Sequence, residues 1–191
     1  MTTNNKLNVA LSGQTGTVNF VGSTSPTLIT PTIGAASATS LTFSSTTGVK
    51  GSTTNDSAAA GSVGELISST VLVGSAVSLT LGGKSDVTSI TLTAGDWDVF
   101  GTVCTTAGAG TLTSRVAGWI STTSATFPTA PNNGAYTYRY ISTGAGDNTF
   151  YDVGKCRISA SGNTIVYLTA ACNFTVSTLA AYGFIGARRV R

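Results

Sequence analysis

Histidine is missing from this sequence of 191 residues. Its absence excludes the Ser-His-Asp and Cys-His arrangements of nucleophilic catalysis and every metal site built on imidazole ligands. Charge is also scarce, at 9% of residues against roughly a quarter in average soluble proteins. No charged residue lies between Leu7 and Val49, whereas nucleic-acid binding needs a row of cations that neutralises successive phosphates. We therefore expect no nucleic-acid partner.

Cysteine is rare and irregularly placed. Its three copies, Cys104, Cys156 and Cys172, form an odd number without a CxxC pair, so neither a disulfide framework nor a zinc site is indicated. Buried free thiols are expected instead, as in a protein assembled in a reducing cytoplasm. The first ten residues lack the plan of a signal peptide, and the apolar stretches are interrupted by polar residues. We expect no membrane insertion, no metal and no cofactor.

The residues that are present favour β structure. Hydrophobic residues make up 41% of the chain, and Val, Ile, Thr and aromatic residues prefer strands. From Val63 onward, short apolar alternations recur between turn signals such as Gly82-Gly83 and Gly162-Asn163. About ten short strands spaced in this way are typical of an all-β sandwich or jelly roll.

The chain divides into three parts by composition. Residues 1–51 alternate short apolar pairs with Ser, Thr and Gly and contain Pro26 and Pro31, which cannot lie in a central strand. Such a segment has too few large side chains to fold alone, so it is predicted as an extended β arm and shaft. Residues 52–62 are a Gly/Ser/Thr-rich linker, and residues 63–191 are the knob domain.

The segment SGQTGTVNFVGSTSPTLITPTIG, within residues 11–34, resembles stretches that recur in bacteriophage tail-fibre and other virion-fibre proteins. The resemblance implies a phage or prophage origin and a homotrimer. It also implies a virion location after assembly in the bacterial host cytoplasm, with the arm bound to other virion proteins of the capsid or tail.

Residues 63–191 resemble the trimeric jelly-roll heads of the complement C1q and tumour-necrosis-factor type. The likeness rests on Gly95-Asp96-Trp97 at the start of one strand, Val166-Tyr167-Leu168 in a later one and Tyr182-Gly183-Phe184 in the last. It implies a jelly-roll topology and a trimer, and it carries over no ligand site.

The last thirteen residues, LAAYGFIGARRVR, are apolar where chain ends are usually polar. As a strand they place Tyr182, Phe184 and Gly186 on one face and Gly183, Ile185 and Ala187 on the other. Both faces then need cover. We predict a trimer interface that contains Tyr182, Phe184, Ile185 and Tyr167, with the terminal arginines at the edge of the knob.

Two acids and several tyrosines are the remaining candidates for chemistry. Asp96 and Asp98 lie on the same side of a strand and could form the carboxylate pair of a glycosidase. Their place beside the Ala94-Gly95 turn favours local hydrogen bonding instead, and we expect no enzyme.

The tyrosines alternate along one predicted strand and allow two interpretations. They either line a subunit interface or form a surface that binds host carbohydrate. The loops 122–135 and 144–152 are long enough to contribute to binding. The candidate ligand contacts are Tyr136, Tyr138, Arg139, Tyr140 and Tyr151.

Taken together, these features predict a non-enzymatic bacteriophage structural protein. Its homotrimer would be a short fibre or knob displayed on the particle and used for attachment to the host surface. The alternative is a capsid decoration protein whose N-terminal arm clamps neighbouring capsid subunits.

Overall fold

The computed structural model describes residues 53–129 and 135–191. Within them the regular structure is β-strand apart from one 3-10 turn, Val73–Ser75, and no helix is long and apolar enough to cross a membrane. The predicted arm, residues 1–51, lies outside the described residues. The strands are β1 (Leu66–Val71), β2 (Val77–Ser78), β3 (Ser85–Leu92), β4 (Gly95–Ala107), β5 (Leu112–Ser121), β6 (Tyr136–Tyr140), β7 (Phe150–Ala160), β8 (Thr164–Thr175) and β9 (Leu179–Arg189).

The strands form two antiparallel sheets. The first sheet has the order β1-β9-β4-β7, with β2 also paired to β9, and the second sheet has the order β3-β8-β5-β6. Consecutive strands such as β3 and β4, or β8 and β9, lie in opposite sheets, as in a double-sheet jelly roll. The prediction of an all-β sandwich is confirmed. The homotrimer stays a prediction.

The core lies between the two sheets and follows the two-residue period of the strands. Trp97, Val99 and Val103 of β4 face the second sheet and are fully buried, as are Ile185 and Ala187 of β9. Burying each large apolar side chain of this kind stabilises the fold by roughly 1.5–3 kcal/mol. The same period directs the residues between them to the outer face of the first sheet.

The chain enters and leaves the sandwich at one end, which we call the entry end. There the backbone N–H of Arg189 donates to the carbonyl of Glu65 at 2.9 Å, and Gly64 N–H donates to the carbonyl of Arg189 at 3.0 Å. Ser57 belongs to the predicted linker, and its hydroxyl accepts a hydrogen bond from Leu66 N–H at 3.0 Å. Ser57 therefore fastens the middle of that linker to the start of β1.

All three cysteines are free thiols, with Cys156 and Cys172 buried and Cys104 partly exposed. Burial raises the pKa of Cys156 and of Cys172 to about 11. Both thiols are therefore protonated and unreactive at neutral pH.

Candidate interaction surfaces

An aromatic patch occupies the outer face of the first sheet. We call it the aromatic face and define it as Phe100, Cys104, Phe150, Tyr182 and Phe184. Cys104 lies opposite Tyr182 on β9 and opposite Phe150 on β7. The rings of Phe100 and Phe184 have centroids 6.0 Å apart, and Phe150 is 68% exposed. Antiparallel sheets usually present polar side chains on a solvent face, so this patch is unusual.

Gly186 brings the two phenylalanine rings together at the centre of the aromatic face. A Cβ atom at this position would lie 2.9 Å from the Cζ atoms of both Phe100 and Phe184. The two rings therefore lie across the bare backbone of β9 and cover it. A side chain at position 186 would push the ends of both rings aside.

Ion pairs flank the aromatic face towards the entry end. Arg157 binds both carboxylate oxygens of Asp96, at 2.7 and 2.5 Å, and Arg191 Nε lies 3.0 Å from Oδ2 of the same carboxylate. Lys155 Nζ lies 2.8 Å from Asp98 Oδ2. The Arg157 hydrogen bond is the main reason that the pKa of Asp96 lies below its ordinary value. A glycosidase acid needs a raised pKa instead.

The predicted trimer-interface residues do not share one surface. Tyr182 and Phe184 lie on the aromatic face, partly exposed. Ile185 points the opposite way and is 0% exposed in the core, because successive strand residues alternate between faces. Tyr167 lies on β8 of the second sheet, opposite Ser89 and Ser121. Tyr182 and Phe184 are the members of the predicted set that share one outer face, and their place in a trimer interface stays a prediction.

A second group of side chains lies on the outer face of the second sheet. We call it the Arg115 cluster, and it consists of Arg115, Tyr138 and Tyr140. Arg115 Nη1 donates to the Tyr138 hydroxyl at 3.2 Å, and the guanidinium carbon lies 5.3 Å from the centroid of that ring. The two tyrosine hydroxyls are 3.3 Å apart. Their rings meet edge to face, with centroids 5.6 Å apart at 78°.

Hydrogen bonding shifts the pKa values of the two tyrosines of this cluster in opposite directions. The pKa of Tyr138 is lowered, first by its hydrogen bond with Tyr140 and then by the one from Arg115. The same contact with Tyr138 raises the pKa of Tyr140. Arg115 donates to the Tyr138 oxygen, and either hydroxyl can donate in the contact between the two tyrosines.

The other candidate ligand contacts lie elsewhere. Tyr151 is 6% exposed, and its hydroxyl is 3.4 Å from the carbonyl oxygen of Ala117, so it cannot reach a ligand outside the sandwich. Arg139 is exposed but lies on the opposite side of β6 from the tyrosines. Tyr136 packs on Phe127 with ring centroids 5.5 Å apart. Of the predicted set, Tyr138 and Tyr140 are the residues that the cluster brings together.

Arg115 was missed by the sequence prediction. The register of β5 against β8 shifts between Thr113 and Arg115, so one extra residue, Ser114, decides which face the arginine occupies. A lone cation inside the apolar run of β5 was the available signal. The bulge that turns it outward depends on pairing between strands that are far apart in sequence.

The loop after β5 covers part of the same sheet near the entry end. Asp86 accepts hydrogen bonds from the Ser124 hydroxyl at 2.6 Å, from Ala125 N–H at 2.9 Å and from the Thr169 hydroxyl at 2.6 Å. Trp119 Nε1 donates to the Thr126 carbonyl at 2.8 Å. This part of the predicted loop 122–135 is tied down, and residues 130–134 lie outside the described residues.

The predicted loop 144–152 is shorter than expected, since Phe150, Tyr151 and Asp152 belong to β7 and pair with β4. Metal binding requires a group of ligand side chains. Residues 53–129 and 135–191 contain no group of three or more Cys, Asp or Glu side chains that could hold a metal ion.

No family model and no curated protein matches this chain. Solved structures of infectious bursal disease virus are similar in backbone: its T13 particle gives a TM-score of 0.41 at 12% identity, over 66% of this chain and 31% of that chain. The structure of the Gx strain has a TM-score of 0.40 at 12% identity and covers 66% of this chain and 32% of the viral chain. The structure of the VP2 subviral particle has a TM-score of 0.34 at 12% identity and covers 65% of this chain and 30% of the viral chain. The chain thus spans about a third of the length of these viral chains.

Proposed function

We propose that the chain is a non-enzymatic structural protein of a bacteriophage virion, assembled as a homotrimer and displayed as a short fibre or knob for host attachment. The observation that carries the proposal is the aromatic face. Its central members, Phe184 and Tyr182, lie on β9, which is paired on both sides within the first sheet. An apolar surface at the middle of a sheet calls for a partner.

Two further copies of the chain suit this surface. The rings of Phe100, Tyr182 and Phe184 are already partly covered by their neighbours, and covering the remainder would stabilise an assembly by about 1 kcal/mol for each of them. Two flanking acids are paired within the chain, Asp98 with Lys155 and Asp96 with Arg157, whereas the exposed Arg188 and Asp152 on this face form no ion pair among the described residues. The two ion pairs reduce the number of unpaired charges that identical surfaces would bring together around a threefold axis.

The sequence resemblances support the same assembly. Residues 11–34 are similar to segments of phage fibre proteins, and the strand order of the knob is the jelly-roll order that its resemblance to trimeric heads implies. Three knobs would bind a surface by avidity, since each bound knob raises the effective concentration of the others. The arm, residues 1–51, would bind other virion proteins.

Two observations support a non-enzymatic role. The sequence has no histidine. Asp96, one member of the only predicted carboxylate pair, is bound to Arg157 and Arg191. These contacts favour its ionised form, whereas proton donation to a glycosidic oxygen needs a protonated carboxyl group.

A phage strain that lacks this chain separates a fibre from the alternative of a decoration protein. The fibre predicts virions with intact capsids, a missing projection in electron micrographs and poor adsorption to cells. Complementation with the wild-type chain should restore adsorption. Capsids that burst at low salt while adsorption stays normal would support decoration, and virions unchanged in composition would refute both roles.

A further inference from the structure

Within residues 53–129 and 135–191, the positive charge of Arg115 has no carboxylate partner. None of the four ion pairs among the described residues includes it. The acid on the same outer face is Asp86, which pairs with Thr169, whereas Arg115 pairs with Asn173. Those positions on β8 are four residue steps apart, which is about 13 Å at the rise of a strand. Asp86 is also fully engaged by the loop after β5.

The guanidinium group is nevertheless held in place. It lies against the ring of Tyr138 and donates Nη1–H to the hydroxyl of that residue. Its Nε–H is buried and has no hydrogen-bond partner among the described residues. The buried Nε–H is closed to a ligand from solvent, but an anion beside the partly exposed Arg115 side chain would pair with its charge.

Tyr140 adds a second recognition element next to this cation. The residue is 80% exposed, and its ring stands edge to face against Tyr138. An apolar ring surface is therefore open to solvent beside the hydroxyl groups of Tyr138 and Tyr140. Aromatic platforms of this kind combine an apolar body with a polar tip. They suit the C–H face of a sugar ring, while the hydroxyls of the sugar can bond to the tyrosine oxygens.

A ligand must satisfy both elements to use the whole cluster. A neutral sugar would leave Arg115 unpaired, and a small inorganic anion would leave the Tyr140 ring uncovered. A nucleic acid would need further cations in a row for its successive phosphates, whereas Arg115 is the cation of the cluster. A saccharide with an attached acidic group meets both requirements.

We propose that Arg115, Tyr138 and Tyr140 bind an acidic saccharide, in which a carboxylate or phosphate contacts Arg115 and a sugar ring stacks on Tyr140. The proposal names the ligand class for host attachment and in that sense rests on the proposed function. Three copies of the site in a trimer would give useful avidity even if each site is weak.

The test uses the purified full chain and calorimetric titration with matched probes. The acidic probes are a galacturonic acid trisaccharide and a glucose trisaccharide with a 6-phosphate, and the neutral probes are the carboxyl-reduced and dephosphorylated forms. We expect at least one acidic probe to bind tenfold or more tightly than its neutral partner. Which of the two binds distinguishes carboxylate from phosphate recognition.

Three variants locate the binding. Arg115→Gln should remove the preference for the acidic probe, and Tyr140→Ala should weaken its binding tenfold or more. Arg139→Gln is the matched control, because Arg139 is an exposed cation on the other side of β6, and its binding should equal that of the wild type. Tyr140 is so exposed that its truncation leaves the fold intact even if the Arg115 variant does not fold.

Several results would overturn the proposal: no binding of either acidic probe at millimolar concentration, equal binding of acidic and neutral probes, or equal losses in the Arg139 and Arg115 variants. Tighter binding of a single-stranded DNA oligonucleotide than of both acidic probes would overturn it too. Light scattering on the same samples keeps the two proposals apart. A trimer without saccharide binding refutes the ligand site alone, whereas a monomer refutes the proposed assembly.

Discussion

Arg189 and Glu65 form a buried ion pair at the entry end. Arg189 Nε lies 2.9 Å from Glu65 Oε2, and the two residues are 5% and 7% exposed. The guanidinium group also donates to the Ala94 carbonyl at 2.8 Å and lies 4.3 Å from the centre of the Trp97 ring. The pair joins the residue before β1 to the end of β9. It thereby ties the start of the knob to its last strand.

Replacing Arg189 by methionine should destabilise the knob by about 3–5 kcal/mol, because Glu65 would remain buried without a partner. Urea unfolding followed by circular dichroism, at one protein concentration, measures the change. Arg188→Met is the matched control, since Arg188 is exposed and its loss should change stability by no more than about 0.5 kcal/mol. Equal effects of the two variants would contradict the role given to the pair.

Acid should weaken the fold through the same carboxylate. The pKa of Glu65 lies below its ordinary value of 4.5, first because Arg189 donates a hydrogen bond to it, and the pKa of Asp96 lies below 3.8, first because of Arg157. The unfolded chain then takes up protons before the folded chain does as the pH falls. The contribution to stability is complete above about pH 5 and is lost as the pH falls through the folded pKa values.

Urea unfolding at pH 7, pH 5 and pH 3 tests this dependence. The free energy of unfolding should be similar at the two higher pH values and lower at pH 3. Glu65→Gln should reduce the drop between pH 5 and pH 3, because one of the titrating groups is removed. A wild-type stability that is unchanged at pH 3 would show that these contacts do not act as described.

At the scale of elements, the strands themselves were predictable from the sequence, because apolar alternation and turn residues are local signals. The alternation in β9 correctly placed Phe184 and Ile185 on opposite faces. It could not tell which sheet a strand joins, since pairing depends on residues far apart in the chain. Tyr167 and Tyr182 were therefore grouped together although they lie in different sheets, and the bulge that turns Arg115 outward left no local signal.

In the proposed homotrimer, assembly depends on the outer face of β9. Phe184→Ser should weaken association of the chains by tenfold or more, because Phe184 lies at the centre of the aromatic face, and it should leave the monomer folded, because the ring is outside the core. Ile165→Ser is the control, as Ile165 is 47% exposed on the outer face of the second sheet. Sedimentation over a range of concentrations compares the variants. Equal association of Phe184→Ser and the wild type would contradict the proposal that the aromatic face forms the contact between copies.

At the scale of the whole knob, the two sheets have different roles in the proposed protein. The first sheet presents the aromatic face, which we assign to contact between copies. The second sheet presents the Arg115 cluster, which we assign to the ligand. Because the two surfaces lie on opposite sides of one sandwich, assembly through one would leave the other open to the surroundings.

The central claim is the homotrimer, and the mass of the wild-type chain in solution tests it most directly. Light scattering coupled to size-exclusion chromatography should give three times the chain mass of 19.1 kDa at micromolar concentration. The value should not change on moderate dilution. A mass of 19.1 kDa under the same conditions would contradict the account.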